Sequence, residues 1–131
     1  MVTMSIDQSH GQYVIRFSEP LRVYVLAVAT ADGEIIWKVS PLAFQPNDVA
    51  TLAFFSFPSH QVPAVVRKQF EDVCEVVPTV QIPFVKDVTY GVVPYGYKER
   101  DKARPLQPRT KYRVLAMGDG QDATAVFTTD E

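Results

Sequence analysis

Two histidines, His10 and His60, and one cysteine, Cys74, are the residues here with which metal or nucleophilic chemistry would ordinarily begin. Their spacing shows no Cys-x-x-Cys, His-x-His or His-Glu-x-x-His pattern, so ligands would have to converge from separate elements. No metal site and no cofactor is therefore expected. Cys74 with His60 would form a thiol–imidazole pair, and Ser56 or Ser59 with His60 a hydroxyl–imidazole pair. Either pair needs the base within hydrogen-bond reach and a third group to orient it. No Gly-x-Ser-x-Gly turn is present, and Val73, Val76 and Val77 around Cys74 suit a small buried side chain. Glu71, Asp72 and Glu75 offer carboxylates for general acid–base work, but their spacing equally suits the solvated face of a helix. Gly118-Asp119-Gly120-Gln121-Asp122 alternates glycine with oxygen ligands, yet lacks the further acids and bidentate glutamate of a calcium loop. A strand-connecting turn is the expectation there, and the chain reads as one without catalytic residues.

Aromatic side chains carry more functional weight. Tyr95 and Tyr97 flank Gly96 in a stretch that also holds Lys98 and Arg100. Tyrosine brings a large rigid contact area and a hydroxyl, and both Tyr and Arg are enriched where binding energy concentrates. These four are the candidate binding residues, for another protein or for a glycan; Trp37, Tyr95 or Tyr97 could stack on a sugar ring. The competing expectation is that both tyrosines fold back over the end of the domain. In Phe54-Phe55-Ser56-Phe57, Phe55 and Phe57 share a face and Phe54 opposes them, so either both faces are covered or one is an interface.

Composition bounds the rest. A chain of 131 residues with 47% hydrophobic and 21% charged residues is expected to be one globular domain, residues 1–131, with its own core. Six Tyr, eight Phe and ten Pro favour many short strands and turns. A net charge of −2 supplies no field for nucleic acid. Basic residues from Lys98 to Arg113 cluster, but Glu99 and Asp101 interrupt them, as on a solvated surface. One cysteine allows no intrachain disulfide, which suits the cytosol or a secreted domain that relies on its core. There is no 18-residue apolar run to cross a membrane. The start, Met1 to Asp7, lacks a signal-peptide layout; a cell-envelope location would follow if a leader had been trimmed, and a cytoplasmic one otherwise.

The elements that would position these residues read mostly as strands. Tyr13 to Ser18 alternates and is expected to end at Glu19-Pro20. Arg22 to Thr30 is apolar almost throughout, as in a central strand covered on both faces. Asp32-Gly33 is a tight-turn pair leading to a strand over 34–39, with Ile35, Trp37 and Val39 on one face. Val49 to Phe57 reads as a strand. Val62, Val66, Phe70, Val73 and Val77 recur at helical spacing, so one short helix is expected near residues 63–76, with an edge strand and loop as the alternative. Thr79 to Pro83 alternates briefly. Val88 to Val93 is expected as a strand, Lys98 to Arg104 as loop, and Lys111 to Met117 and Ala123 to Thr129 as the closing pair.

Ahead of that closing pair stands Leu106-Gln107-Pro108-Arg109-Thr110-Lys111-Tyr112, a Leu-x-Pro-x-Thr-x-Tyr pattern. It has the form of a tyrosine corner, with Leu106, Pro108, Thr110 and Tyr112 as its structural residues. From Val88 to Thr129 the chain resembles the C-terminal half of a fibronectin type III or related immunoglobulin-like domain. It is also similar to small uncharacterised bacterial proteins with a Tyr-Gly-x-x-Pro-x-Gly-Tyr-like segment, here Tyr90 to Tyr97, before the corner. The resemblance implies an antiparallel immunoglobulin-like β-sandwich, a core tryptophan that Trp37 would supply, and a non-catalytic binding or structural role in the bacterial envelope. It supplies no catalytic residues. A carbohydrate-binding module and a small hydrolase assembled only in three dimensions are the other readings, and edge strands lead us to expect a monomer or weak homodimer.

Overall fold

The computed structural model describes residues 2–9, 11–42, 82–118 and 122–130. Among them the chain is all-β and antiparallel, with no helix. The expected helix near 63–76 and the expected strand over 49–57 lie outside the described residues. The strands are β1 (Met4–Ser9), β2 (Gln12–Thr30), β3 (Ile35–Pro41), β4 (Phe84–Thr89), β5 (Tyr97–Asp101), β6 (Lys111–Gly118) and β7 (Asp122–Thr128).

β2 organises the molecule, because its two halves have different burial. In the first half Ile15 and Phe17 are buried while Arg16 and Ser18 are exposed, the alternation of a strand with one covered face. In the second half every residue from Val23 to Ala29 is buried, so both faces are covered. The first half pairs with β1, from Met4↔Phe17 to Ser9↔Gln12, and with β4. The second half lies between β3 and β6 in the order β5–β3–β2–β6–β7. The result is two ladders that share one strand, in a sandwich-like arrangement around one core. That core joins Ile15, Phe17 and Val88 to Trp37, Leu26, Tyr112 and Val114.

Three expectations need correction. The chain does not leave the sheet at Glu19-Pro20; β2 runs through them, although β2 advances from Arg16 to Leu21 while β4 advances only from Asp87 to Val85. Proline has no N–H to give a ladder, and this irregular stretch asks none of it. The strand expected over Val88–Val93 lies earlier, at Phe84–Thr89, because the chain turns at Tyr90-Gly91 with Gly91 at φ +83°. The polar stretch expected as loop from Lys98 is strand β5 as far as Asp101. Five mostly charged residues look like loop locally, but a strand with one lateral neighbour among the described residues tolerates them.

The Asp32-Gly33 turn lies where the dipeptide predicts it. Gly33 sits at φ +89°, its N–H donates to Thr30 O, and Thr30 N–H donates to Glu34 O. β3 departs from simple alternation, since Ile36 to Pro41 are all buried between β2 and β5. β6 and β7 pair without a break from Lys111↔Thr128 to Met117↔Asp122.

Candidate functional site

Glycine at position 96 decides where the expected binding residues point. Gly96 lies at φ +84°, and a Cβ there would come within 2.4 Å of Pro83 Cγ. Its flanking tyrosines part company. Tyr95 is 93% exposed, whereas Tyr97 is buried. The Tyr97 hydroxyl accepts the Val23 N–H at 3.1 Å and donates to Pro83 O at 2.7 Å, and burial pushes its pKa up. Lys98 is exposed. Arg100 turns back onto β3, donating from Nε to Ser40 Oγ at 2.7 Å and from Nη2 to Pro41 O at 2.8 Å. Tyr97 and Arg100 are therefore committed to holding strands together, and only Tyr95 and Lys98 face solvent.

Trp37 is fully buried, its Nε1–H donates to Glu99 Oε2 at 2.8 Å, and its ring meets Tyr90 edge-on at 5.2 Å. It offers no stacking surface. His10, His60, Cys74, Ser56, Ser59, Glu71, Asp72, Glu75 and the Phe54–Phe57 run lie outside the described residues. Among the described residues, no group of three His, Cys, Asp or Glu is placed to hold a metal ion.

The Leu-x-Pro-x-Thr-x-Tyr segment forms a tied turn at the entry to β6. Tyr112 is buried, and its hydroxyl accepts the Gln107 N–H at 2.8 Å. The Thr110 hydroxyl donates to Pro108 O at 2.9 Å, while Arg109 between them takes φ +51°. Leu106 packs against the core. Thr129 closes the turn from the far side: its N–H donates to Thr110 O, and its hydroxyl accepts the Thr110 N–H at 2.9 Å and donates to Gln107 O. Phe127 joins the tyrosines, with ring centroids 5.5 Å from Tyr112 and 5.1 Å from Tyr13.

Beside this turn lies an open groove of about 470 Å³. Its walls include Gln8 and Gln12 from the β1–β2 hairpin, Tyr13, Tyr90, Gln107 and Asp130. Both tyrosines are anchored. The Tyr13 hydroxyl accepts the Asp130 N–H at 3.3 Å, and the Tyr90 hydroxyl donates to Arg104 O at 2.6 Å. Desolvation pushes the Tyr90 pKa up to about 12, although its bond to the Arg104 backbone works in the opposite direction. The three glutamine amides differ from the tyrosine hydroxyls: none makes a side-chain hydrogen bond to a described residue. Each carries one carbonyl acceptor and two N–H donors. The groove thus combines aromatic walls with three uncharged amides that both give and accept hydrogen bonds, and one acidic residue, Asp130, at its wall.

None of these groove residues was among the sequence-based binding candidates. Gln8 and Gln12 are more than ninety residues from Gln107 in the chain, and only the pairing of β1 with β2 and the closure of the corner bring them to one place. The polar hairpin around Gly11 was the available signal, and it does not distinguish a binding wall from an ordinary turn.

Comparison of the chain with protein-family models, curated proteins and solved structures returned no match.

Proposed function

We propose that the chain is a single immunoglobulin-like β-sandwich domain acting as a non-catalytic recognition module. In this reading its groove takes a neutral, hydroxyl-rich ligand, most simply a glycan. The observation that carries it is the convergence of three uncommitted carboxamides, Gln8, Gln12 and Gln107, on one groove with tyrosine walls. Amides paired with a neutral ligand avoid the desolvation cost of a buried charge, and aromatic walls supply contact area at low entropic cost. The fold assignment draws on strand pairing and on the Tyr112 corner.

Titration with a panel of neutral oligosaccharides, followed by NMR, tests the reading. The side-chain amide signals of Gln8, Gln12 and Gln107 should shift together, and the Q12A/Q107A double variant should bind about tenfold or more weakly. Tyr95→Ala serves as the comparison. Loss of binding in Y95A with none in Q12A/Q107A would move the ligand to the Gly96 loop. Shifts with an extended peptide alone would change the ligand class, and no shift with either would remove the groove as a site. The bacterial-envelope setting rests on resemblance, and cell fractionation with intact-mass measurement tests it.

A further inference from the structure

Among the described residues, the strand edges are not equally protected. β5 reads Tyr-Lys-Glu-Arg-Asp and pairs with β3 through a register shift. β4 contains Lys86 and Asp87 and pairs with β2 through an irregularity, and β1 contains Asp7, which pairs with Arg16. Charges and bulges of this kind discourage a second chain from adding to an edge. β7 has neither along most of its length. Ala123 to Thr128 holds no charge, no proline and no glycine, and its register with β6 is unbroken. Val126, a β-branched residue at mid-strand, is 55% exposed.

The direction of its backbone groups follows from one hydrogen bond. Thr129 N–H donates to Thr110 O at 2.9 Å, and these two residues continue the register that begins at Lys111↔Thr128. Hydrogen-bonded and non-hydrogen-bonded pairs alternate along an antiparallel ladder. Ala123, Ala125 and Phe127 therefore direct their main-chain groups at β6, while Thr124, Val126 and Thr128 direct theirs outward. Those outward groups have no hydrogen bond to any described residue. β1 approaches β7 where the two ladders meet, but does not join its ladder.

We infer that β7 is a self-association edge, through which two copies of the chain pair antiparallel about a two-fold axis at Ala125. Self-pairing fits for a geometric reason. An antiparallel edge is complementary to its own copy when its outward groups are placed symmetrically about one residue. About Ala125, Thr124 of each copy faces Val126 of the other, and each such pair exchanges two main-chain hydrogen bonds. The facing side chains are a threonine and a valine, a β-branched pair with no charge to repel. The second ladder, five strands wide among the described residues of each copy, becomes one continuous sheet across the axis. Because the contact is one strand wide, the dimer is weak and concentration-dependent.

Sedimentation velocity on the full chain over a concentration series, with residue-resolved amide exchange, tests this. The expected result is a reversible monomer–dimer equilibrium in which the Thr124 and Val126 amides exchange more slowly as concentration rises. Ala123 and Ala125, already bonded to β6, should change little. V126P removes an outward N–H without removing a bond to β6, and should weaken dimerisation about ten- to a hundredfold while the near-ultraviolet dichroism of the fold is kept. A chain that stays monomeric up to about 1 mM would overturn the inference. So would a dimer whose Thr124 and Val126 amides remain fast, or one that persists in folded V126P. Should V126P fail to fold, the exchange pattern of the unaltered chain decides alone.

Discussion

At the scale of single residues, four tyrosine hydroxyls tie separate stretches of main chain together. Tyr97 joins Val23 to Pro83, Tyr112 holds Gln107, Tyr90 holds Arg104 and Tyr13 holds Asp130. The ties differ in what their loss would expose. Removing the Tyr97 hydroxyl strands one donor and one acceptor at the buried end of the sheet. Y97F should therefore cost about 2–3 kcal/mol in urea unfolding, against about 1 kcal/mol for Y112F, where one N–H loses its partner. Tyr90 gives a pH signature. Its folded pKa is about 12 and its ordinary value 10.0, so the folded state holds the proton more tightly. That contribution is fully present below pH 10 and is lost as pH rises from there through 12. Stability measured from pH 9 to 12 should fall along this limb, and less steeply in Y90F.

At the scale of elements, β3 and β5 form a unit that neither would form alone. β3 buries Lys38, 2% exposed, with its Nζ 3.6 Å from Asp101 Oδ2 on β5. Trp37 on the same strand gives its indole N–H to Glu99, and Arg100 caps the strand's end through Ser40 and Pro41. Of the charges that make residues 98–101 look like loop, those of Glu99, Arg100 and Asp101 pair this edge to its neighbour, while Lys98 faces solvent. A buried ammonium needs its counter-charge. D101N should thus destabilise by about 1–2 kcal/mol in urea unfolding, short of the cost in a wholly buried pair because Asp101 is half exposed. An unchanged midpoint would mean that Lys38 is held by its other contacts.

At the scale of the whole molecule, β2 makes the two ladders interdependent. Its residues belong to both, and one apolar cluster runs from Ile15 and Phe17 to Val114 and Leu115. Such a core should unfold as one unit. Trp37 lies within it, so its fluorescence and far-ultraviolet dichroism should give coincident denaturation curves. Curves that separate would show that the β1–β2–β4 ladder opens before the rest.

What the sequence determined by itself is the local chemistry. Asp32-Gly33 specified a hairpin because glycine alone takes the positive φ there without cost, and the run from Val23 to Ala29 specified a strand covered on both faces. Alternation from Lys111 to Met117 and from Ala123 onward marked the last two strands. Each signal lies within about ten residues, where turn chemistry and side-chain period act directly. The tertiary structure alone decided the rest. Tyr97 and Arg100 looked available for binding until partners 74 and about 60 residues away occupied them. The charged stretch at β5 became a strand because β3 lay beside it. The groove has no counterpart in any one segment, since Gln8, Gln12 and Gln107 meet only after the β1–β2 hairpin and the corner have both closed. Spacing along the chain carries no information about such meetings, because the contacts that create them are made between segments and not within one.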